Sequence, residues 1–188
     1  EGYADAGAEL AQVVGREAAP LPIGEAVYFL TGLYTTLLAE RERGALGAFY
    51  TPPALATRLL NMAEEQGIDW THARVLDPAS GGGAFLLPAA ERMIAFLPAA
   101  EPAFALRQIG SRLLGLELDS YAAEFGQNAI DLLLADVTAA AGRAAPIVVR
   151  VADTLEEPPV ARFDLVIGNP PYGRVTLTPE QRRRFARG

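Results

Sequence analysis

Apolar residues in the first third of the chain recur at the spacing of an α-helix. Over 24–43 they fall three and four positions apart, and a charged segment closes the run. A second helix is predicted over 53–66, because proline suits the first turn of a helix and Gly67 follows its end. Between them lies an irregular segment, GAFYTPP, at 47–53. The N-terminal third is therefore predicted to be helical.

After residue 72 the pattern changes to short apolar runs that alternate with helical stretches. Helices are predicted over 84–97 and 120–135. The runs with the length and character of buried strands are 73–77, 112–117, 147–151 and 163–168. Strands that alternate with helices form parallel sheets, and strands without polar alternation are covered on both faces. The chain is thus predicted to be an α/β protein, with about four parallel strands preceded by N-terminal helices.

Composition narrows the possible chemistry. All 16 basic residues are arginines, there is no lysine or cysteine, His72 is the only histidine, and the formal net charge is −7. These absences exclude a P-loop, a Schiff-base lysine, thiol catalysis, disulfides and cysteine or two-histidine metal sites, so we predict no metal. No run approaches the ~20 apolar residues that span a bilayer, which leads us to expect a cytoplasmic protein with no membrane partner.

We expect three parts: a helical segment at 1–43, the α/β domain at 44–173 and a tail at 174–188. The tail holds five arginines and one glutamate, whereas the rest of the chain is acidic. Two interpretations of the arginines are open, a solvated helix end and a contact with phosphates.

Each predicted strand ends at a polar side chain: Asp77, Glu117, Asp153 and Asn169. In open α/β sheets, ligands bind outside the carboxyl ends of the strands, so these four residues are expected to form one site. Glu117 is suited to accept from the hydroxyls of a ribose, and Asp153 from an adenine amine, with the backbone N–H near Thr154 completing the adenine edge. These two acids therefore predict an adenosine ligand.

The loop after the first predicted strand reads DPASGGGAF, residues 77–85. Glycines there allow backbone N–H groups to approach a ligand, although they also permit simple close packing of strand and helix. Asp77 would repel a pyrophosphate, and Glu117 lies 40 positions on, against the ~20 expected of a nicotinamide-binding unit. A ligand with an ammonium and a sulfonium group suits this loop better.

The sequence NPPY at 169–172 is the most specific motif. Two prolines after a strand fix a rigid, extended turn, which orients the Asn169 side-chain oxygen and the Pro170 carbonyl. Two such acceptors suit a planar amine that is being alkylated, and Tyr172 supplies a ring for stacking. A simple turn is the alternative. Asp119, two residues after Glu117, is interpreted as the N-cap of the next helix.

Together these motifs resemble the S-adenosylmethionine-dependent DNA adenine-N6 methyltransferases. The resemblance rests on GAFYTPP, DPASGGGAF, GLELD at 115–119, Asp153 and NPPY, and it implies a Rossmann-like class I methyltransferase sheet, incomplete here. It implies catalytic roles for Asn169, Pro170, Pro171 and Tyr172. The cofactor residues that it implies are Tyr50, Thr51, Pro52, Asp77, Pro78, Ala79, Ser80, Gly81, Gly83, Phe85, Glu117, Asp153 and Thr154.

Two departures from that family matter. Ser80, Gly81 and Gly82 stand where the family commonly has Cys-Gly-Ser, and the chain ends 16 residues after Tyr172. We therefore expect a catalytic fragment that meets double-stranded DNA through regions missing from this chain. Its fourth strand would have a bare edge, so the fragment is also expected to self-associate. Two alternatives are open, an enzyme acting on a protein glutamine or an RNA base, and a non-catalytic module that binds cofactor or a partner.

Overall fold

A four-stranded parallel sheet with helices around it organises the chain. The computed structural model describes residues 2–37, 51–172 and 177–185. Within these ranges the helices are α1 (Gly2–Ala18), α2 (Ile23–Leu37), α3 (Pro53–Glu65), α4 (Leu86–Ala95), α5 (Pro102–Arg112), α6 (Ser120–Leu133), α7 (Ala135–Ala141) and α8 (Pro179–Phe185). The strands are β1 (Val75–Asp77), β2 (Leu113–Glu117), β3 (Val149–Val151) and β4 (Leu165–Val166). None of the described helices has both the length and the apolar character that a membrane span requires.

The strands lie in the order β3-β2-β1-β4 and all run parallel. Val75 of β1 lies opposite Leu113 of β2 on one side and Leu165 of β4 on the other. The chain therefore builds outward from β1 to β3 and then crosses back to place β4 beside β1. This reversal puts a topological switch point between β1 and β4, where ligands bind in open α/β sheets. The predicted α/β fold with four parallel strands and preceding helices is confirmed.

All four strands are shorter than predicted, β3 and β4 in ways that the contacts explain. For β3 the reason is the side chain of Gln127 on α6, whose Oε1 accepts from the backbone N–H groups of Val148 and Val149 at 2.9 and 3.1 Å. Its Nε2 donates to the Pro146 carbonyl at 3.0 Å. At the start of the predicted strand 147–151, the backbone N–H groups therefore bond to a side chain in place of a neighbouring strand. The ladder of β4 with β1 is likewise limited to Leu165 and Val166 rather than 163–168.

The helix bounds also differ in places. Helix α4 begins at Leu86 rather than residue 84, because the glycine loop continues as turns through Phe85. Helix α6 ends at Leu133 and the separate helix α7 follows. The expected boundaries at 43/44 and 173/174, and the end of the predicted helix 24–43, lie outside the described residues. β4 lies at an edge of the described sheet, and the expected self-association stays a prediction.

The core lies between the sheet and the helices that cover it. Its largest fully buried apolar side chains are Leu60, Val75, Leu86, Met93, Ile109, Ile130, Leu134 and Val148. By contrast, His72 is exposed and contacts the carboxylate of Asp69 at 3.0 Å.

Two helices approach the loop after β1 so closely that its glycines have no room for side chains. A Cβ at Gly82 would overlap the Cγ2 methyl of Thr31 on α2, and Thr31 is only 1% exposed. A Cβ at Gly83 would lie 3.2 Å from the Cα of Gly126 on α6. The loop is therefore held between α2 and α6, and glycine is required by this packing as well as by any ligand.

We predict that Gly82→Ala lowers the free energy of unfolding by about 1–3 kcal/mol, because the added methyl overfills a packed contact. The backbone at Gly82 does not have a positive φ, so the cost comes from the contact with Thr31. Adding Thr31→Ser should restore most of the loss, because serine lacks the overlapping methyl but keeps the hydroxyl that donates to the Val27 carbonyl. Urea unfolding of the single and double variants measures both effects.

Gly32→Ala is the matched control, since its Cβ would meet none of the described residues within 4 Å and alanine favours a helix. A Gly82→Ala variant as stable as wild type would show that the loop is not clamped by α2.

Candidate functional site

The loop after β1 turns back over the carboxyl end of β2. The Ser80 N–H donates to the Leu116 carbonyl at 2.9 Å, and the Gly83 N–H donates to the Ser80 carbonyl at 2.8 Å. Gly81 and Gly83 have φ angles of +50° and +87°, a region that residues with side chains rarely adopt. The glycines thus allow a tight turn, and the backbone N–H of Gly81 points toward β2.

That N–H group meets Glu117. One carboxylate oxygen, Oε2, accepts from the Gly81 N–H at 2.7 Å, and the other, Oε1, accepts from the Asp119 N–H at 2.9 Å. The side chain is half-buried. A carboxylate has about four acceptor positions, so Glu117 is fixed by two backbone donors and still has capacity for two more. A carboxylate held in this way can accept hydrogen bonds from both hydroxyls of a diol.

Asp119 caps the following helix, as predicted. Its Oδ1 accepts from the Tyr121 N–H at 3.0 Å, which satisfies one of the free donors at the start of α6. The cap fixes the turn between β2 and α6. It thereby also fixes the Asp119 backbone N–H, which donates to the Glu117 carboxylate.

Asp77 is the buried acid of the site, at 1% exposure. Its Oδ1 accepts from the Ala79 N–H at 3.1 Å, whereas its Oδ2 has no hydrogen-bond partner among the described residues. Burial raises the pKa of Asp77 to about 7; the Ala79 N–H opposes this shift, and the negative charge of Glu117 adds to it. A buried oxygen without a donor is costly, so this position suits a ligand that brings a donor or a positive charge.

Asn169 follows β4 beside this acid. A Cβ at the preceding residue, Gly168, would lie 2.6 Å from Asp77 Oδ1, so glycine allows the end of β4 to pass directly against the carboxyl group. The Tyr172 hydroxyl donates to the Asn169 Oδ1 at 3.0 Å, and the Tyr172 side chain is 78% exposed. Sequence reasoning gave these two side chains separate roles and missed the bond that joins them.

The loop after β3 is tied to the same edge. The Thr154 hydroxyl donates to the Pro78 carbonyl at 2.6 Å, and Asp153 Oδ1 accepts from the Leu155 N–H at 2.9 Å. Both side chains are half-buried. The carboxyl edge of the sheet therefore brings together Asp77, the glycine loop, Glu117, the loop carrying Asp153 and Thr154, and Asn169.

The remaining predicted residues are placed differently. Phe85 is buried at 2% exposure, and Ser80 is buried with an Oγ that has no partner among the described residues. Pro52 lies at the start of α3, and Tyr50 lies outside the described residues. Thr51 is buried and lines a cavity of about 250 Å³ between α2, α3 and the glycine loop. Of the other predicted residues that the structure describes, only Gly83 lines that cavity, so the cavity adjoins the acid-lined edge without containing it.

We predict that Asp77 makes the protein less stable as pH rises from about 4 to about 7. Its pKa in the folded chain, about 7, exceeds the ordinary aspartate pKa of 3.8, so its contribution is complete below pH 4 and is lost as pH rises through 7. Asp77→Asn removes this dependence. The free energy of unfolding of wild type minus that of the variant should therefore fall by on the order of 3 kcal/mol across this range.

Urea unfolding of both proteins at several pH values measures that difference, and the other acids of the chain cancel in it. A difference that is constant with pH would show that Asp77 ionises normally in the folded protein.

Comparison with known proteins adds independent information. The family model described as N-6 DNA Methylase matches residues 29–187. The chain is 30% identical over 167 residues to the type II methyltransferase M.PaeR7I of Pseudomonas aeruginosa, an alignment that covers 84% of this chain and 28% of that protein. Its fold is similar to that of a chain in a cryo-EM structure of a DrdV–DNA complex, with a TM-score of 0.61 and 20% identity, covering 80% of this chain and 16% of that one.

Proposed function

The chain belongs to the N-6 DNA methylase family, and we propose that it forms the cofactor-binding and catalytic part of an enzyme that methylates the N6 amine of adenine in double-stranded DNA. The observation that carries the proposal is the convergence of Asp77, Glu117 and Asn169 at one sheet edge. The family match includes all of these residues. The chain spans 28% of the curated relative, so the activity of a whole enzyme is proposed rather than transferred.

The proposed cofactor is S-adenosylmethionine, and the residues present fit it. Its ammonium and sulfonium charges suit an edge lined by three acids, and the Oδ2 of Asp77, which has no partner in the described part of the chain, supplies a buried acceptor. Glu117, held by two backbone donors, has acceptor capacity for the two ribose hydroxyls. Asp153 and the backbone near Thr154 are assigned to the adenine, and Thr51 to the methionine end. When bound, the cofactor supplies the methyl group as an electrophile.

Catalysis is proposed to consist of positioning the target amine. The adenine must leave the duplex stack, which costs a few kcal/mol, and the exposed ring of Tyr172 is available to stack on it. The Asn169 Oδ1 and the Pro170 carbonyl accept the hydrogens of the amine and direct its nitrogen toward the methyl carbon. The bond from the Tyr172 hydroxyl to that oxygen orients the Asn169 amide. Alignment of this kind contributes several kcal/mol to rate enhancement.

Recognition of the duplex is proposed for parts of a longer protein, because this chain carries a formal charge of −7 and DNA-binding surfaces are generally basic. The cytoplasmic location expected from the sequence stays a prediction.

We predict that Asn169→Ala abolishes methyl transfer while leaving cofactor binding within about twofold of wild type, because the side chain acts on the amine rather than on the cofactor. Transfer of tritiated methyl groups to DNA is measured with the protein at its native length. Binding of S-adenosylhomocysteine is measured by calorimetry on the same samples. Asn128→Ala, an exposed asparagine on α6, is the matched control and should behave as wild type.

Persistent methylation by Asn169→Ala would contradict the assigned acceptor site. Labelling of RNA or of protein glutamine, but not of DNA adenine, would contradict the proposed substrate. Wild-type protein that binds cofactor and methylates none of these would favour the non-catalytic module.

A further inference from the structure

Helix α2 contacts the candidate site at a second point besides Thr31. The hydroxyl of Tyr34, one turn further along the helix, donates to the Asp119 Oδ2 at 2.8 Å. The two residues are 85 positions apart in the sequence, so this bond joins the N-terminal helices directly to the turn that follows β2.

Besides the helical bond from the Ala123 N–H to its carbonyl, Asp119 makes three hydrogen bonds that join separate elements. Its Oδ2 accepts from Tyr34, its Oδ1 accepts from the Tyr121 N–H at 3.0 Å, and its own N–H donates to the Glu117 Oε1 at 2.9 Å. Both side-chain oxygens are therefore engaged while the backbone holds Glu117. A change in the position of Asp119 changes the position of the donor that orients the Glu117 carboxylate.

Aromatic packing fixes the Tyr34 ring. Its centroid lies 6.1 Å from that of Tyr121 and 5.7 Å from that of Phe125, with tilted planes in both pairs. Such pairs are favourable, so they stabilise the ring position in which the Tyr34 hydroxyl reaches Asp119.

We propose that Tyr34 is a positioning residue of the cofactor site, which acts through Asp119 to hold Glu117 ready for the ribose hydroxyls. This inference depends on the proposed function, because it assumes a ligand with a ribose at Glu117. Without the Tyr34 hydroxyl, the turn at Asp119 must be ordered when the ligand binds, and that ordering reduces affinity.

The hydroxyl can be removed with little change to the ring packing. Tyr34→Phe keeps the contacts with Tyr121 and Phe125 and deletes the bond to Asp119. Tyr121→Phe is the matched control: it removes a hydroxyl from the same aromatic cluster, but among the described residues that hydroxyl makes no hydrogen bond. A purely structural role of the cluster would affect both variants alike.

The experiment is calorimetric titration of this chain with S-adenosylhomocysteine and with the analogue that lacks the ribose 2′-hydroxyl. Tyr34→Phe is expected to weaken binding of the first ligand about three- to tenfold, the effect of losing one hydrogen bond, and of the second less than twofold. Tyr121→Phe should change neither affinity. In a Glu117→Gln background the effect of Tyr34→Phe should largely disappear, because the group that it positions is already altered.

Three results would overturn the inference while leaving the proposed function intact: Tyr34→Phe binding as tightly as Tyr121→Phe, equal losses for both ligands, or an undiminished effect in the Glu117→Gln background. If wild type bound neither ligand, the proposed function itself would be wrong and the inference would fall with it.

Discussion

The close packing of two helices and a strand end around the loop after β1 is the constraint on which both the fold and the site depend. Gly82 lies against Thr31 of α2, Gly83 lies against Gly126 of α6, and the Gly81 N–H donates to Glu117 at the end of β2. At Gly82 and Gly83 a side chain would meet α2 and α6, and at Gly81 the positive φ disfavours one. The three glycines therefore keep the N-terminal helices, the sheet and α6 in contact.

The charges of the site follow from this packing. The loop and Gly168 bury Asp77 so thoroughly that its pKa rises to about 7, whereas Glu117 is half-buried and held by two N–H groups. One edge thus combines two different acids. Asp77 is buried and has one oxygen without a partner among the described residues, and Glu117 is held by two N–H groups and can accept further hydrogen bonds. An acidic chain without lysine looks poorly suited to DNA, yet acids placed in this way suit a cationic cofactor.

The parts of this structure that sequence could predict are those set by local rules. The ends of β1, β2 and β3, the turn at the glycines and the Asp119 cap depend on neighbouring residues, and each was predicted from them. The bond from Tyr34 to Asp119 and the replacement of a strand by Gln127 join distant parts of the chain, and no local pattern indicates them. The predicted β3 was too long for this reason. Gly126 gave a weak signal, since glycine in the middle of a helix suggests a close contact without identifying the partner.

A crystal structure of the chain with S-adenosylhomocysteine would show whether this edge binds the adenosine of a methyl donor through Glu117. We expect both ribose hydroxyls within hydrogen-bond distance of the Glu117 carboxylate and the adenine amine beside Asp153. A ligand whose ribose lies elsewhere, for example in the cavity lined by Thr51 and α2, would contradict it.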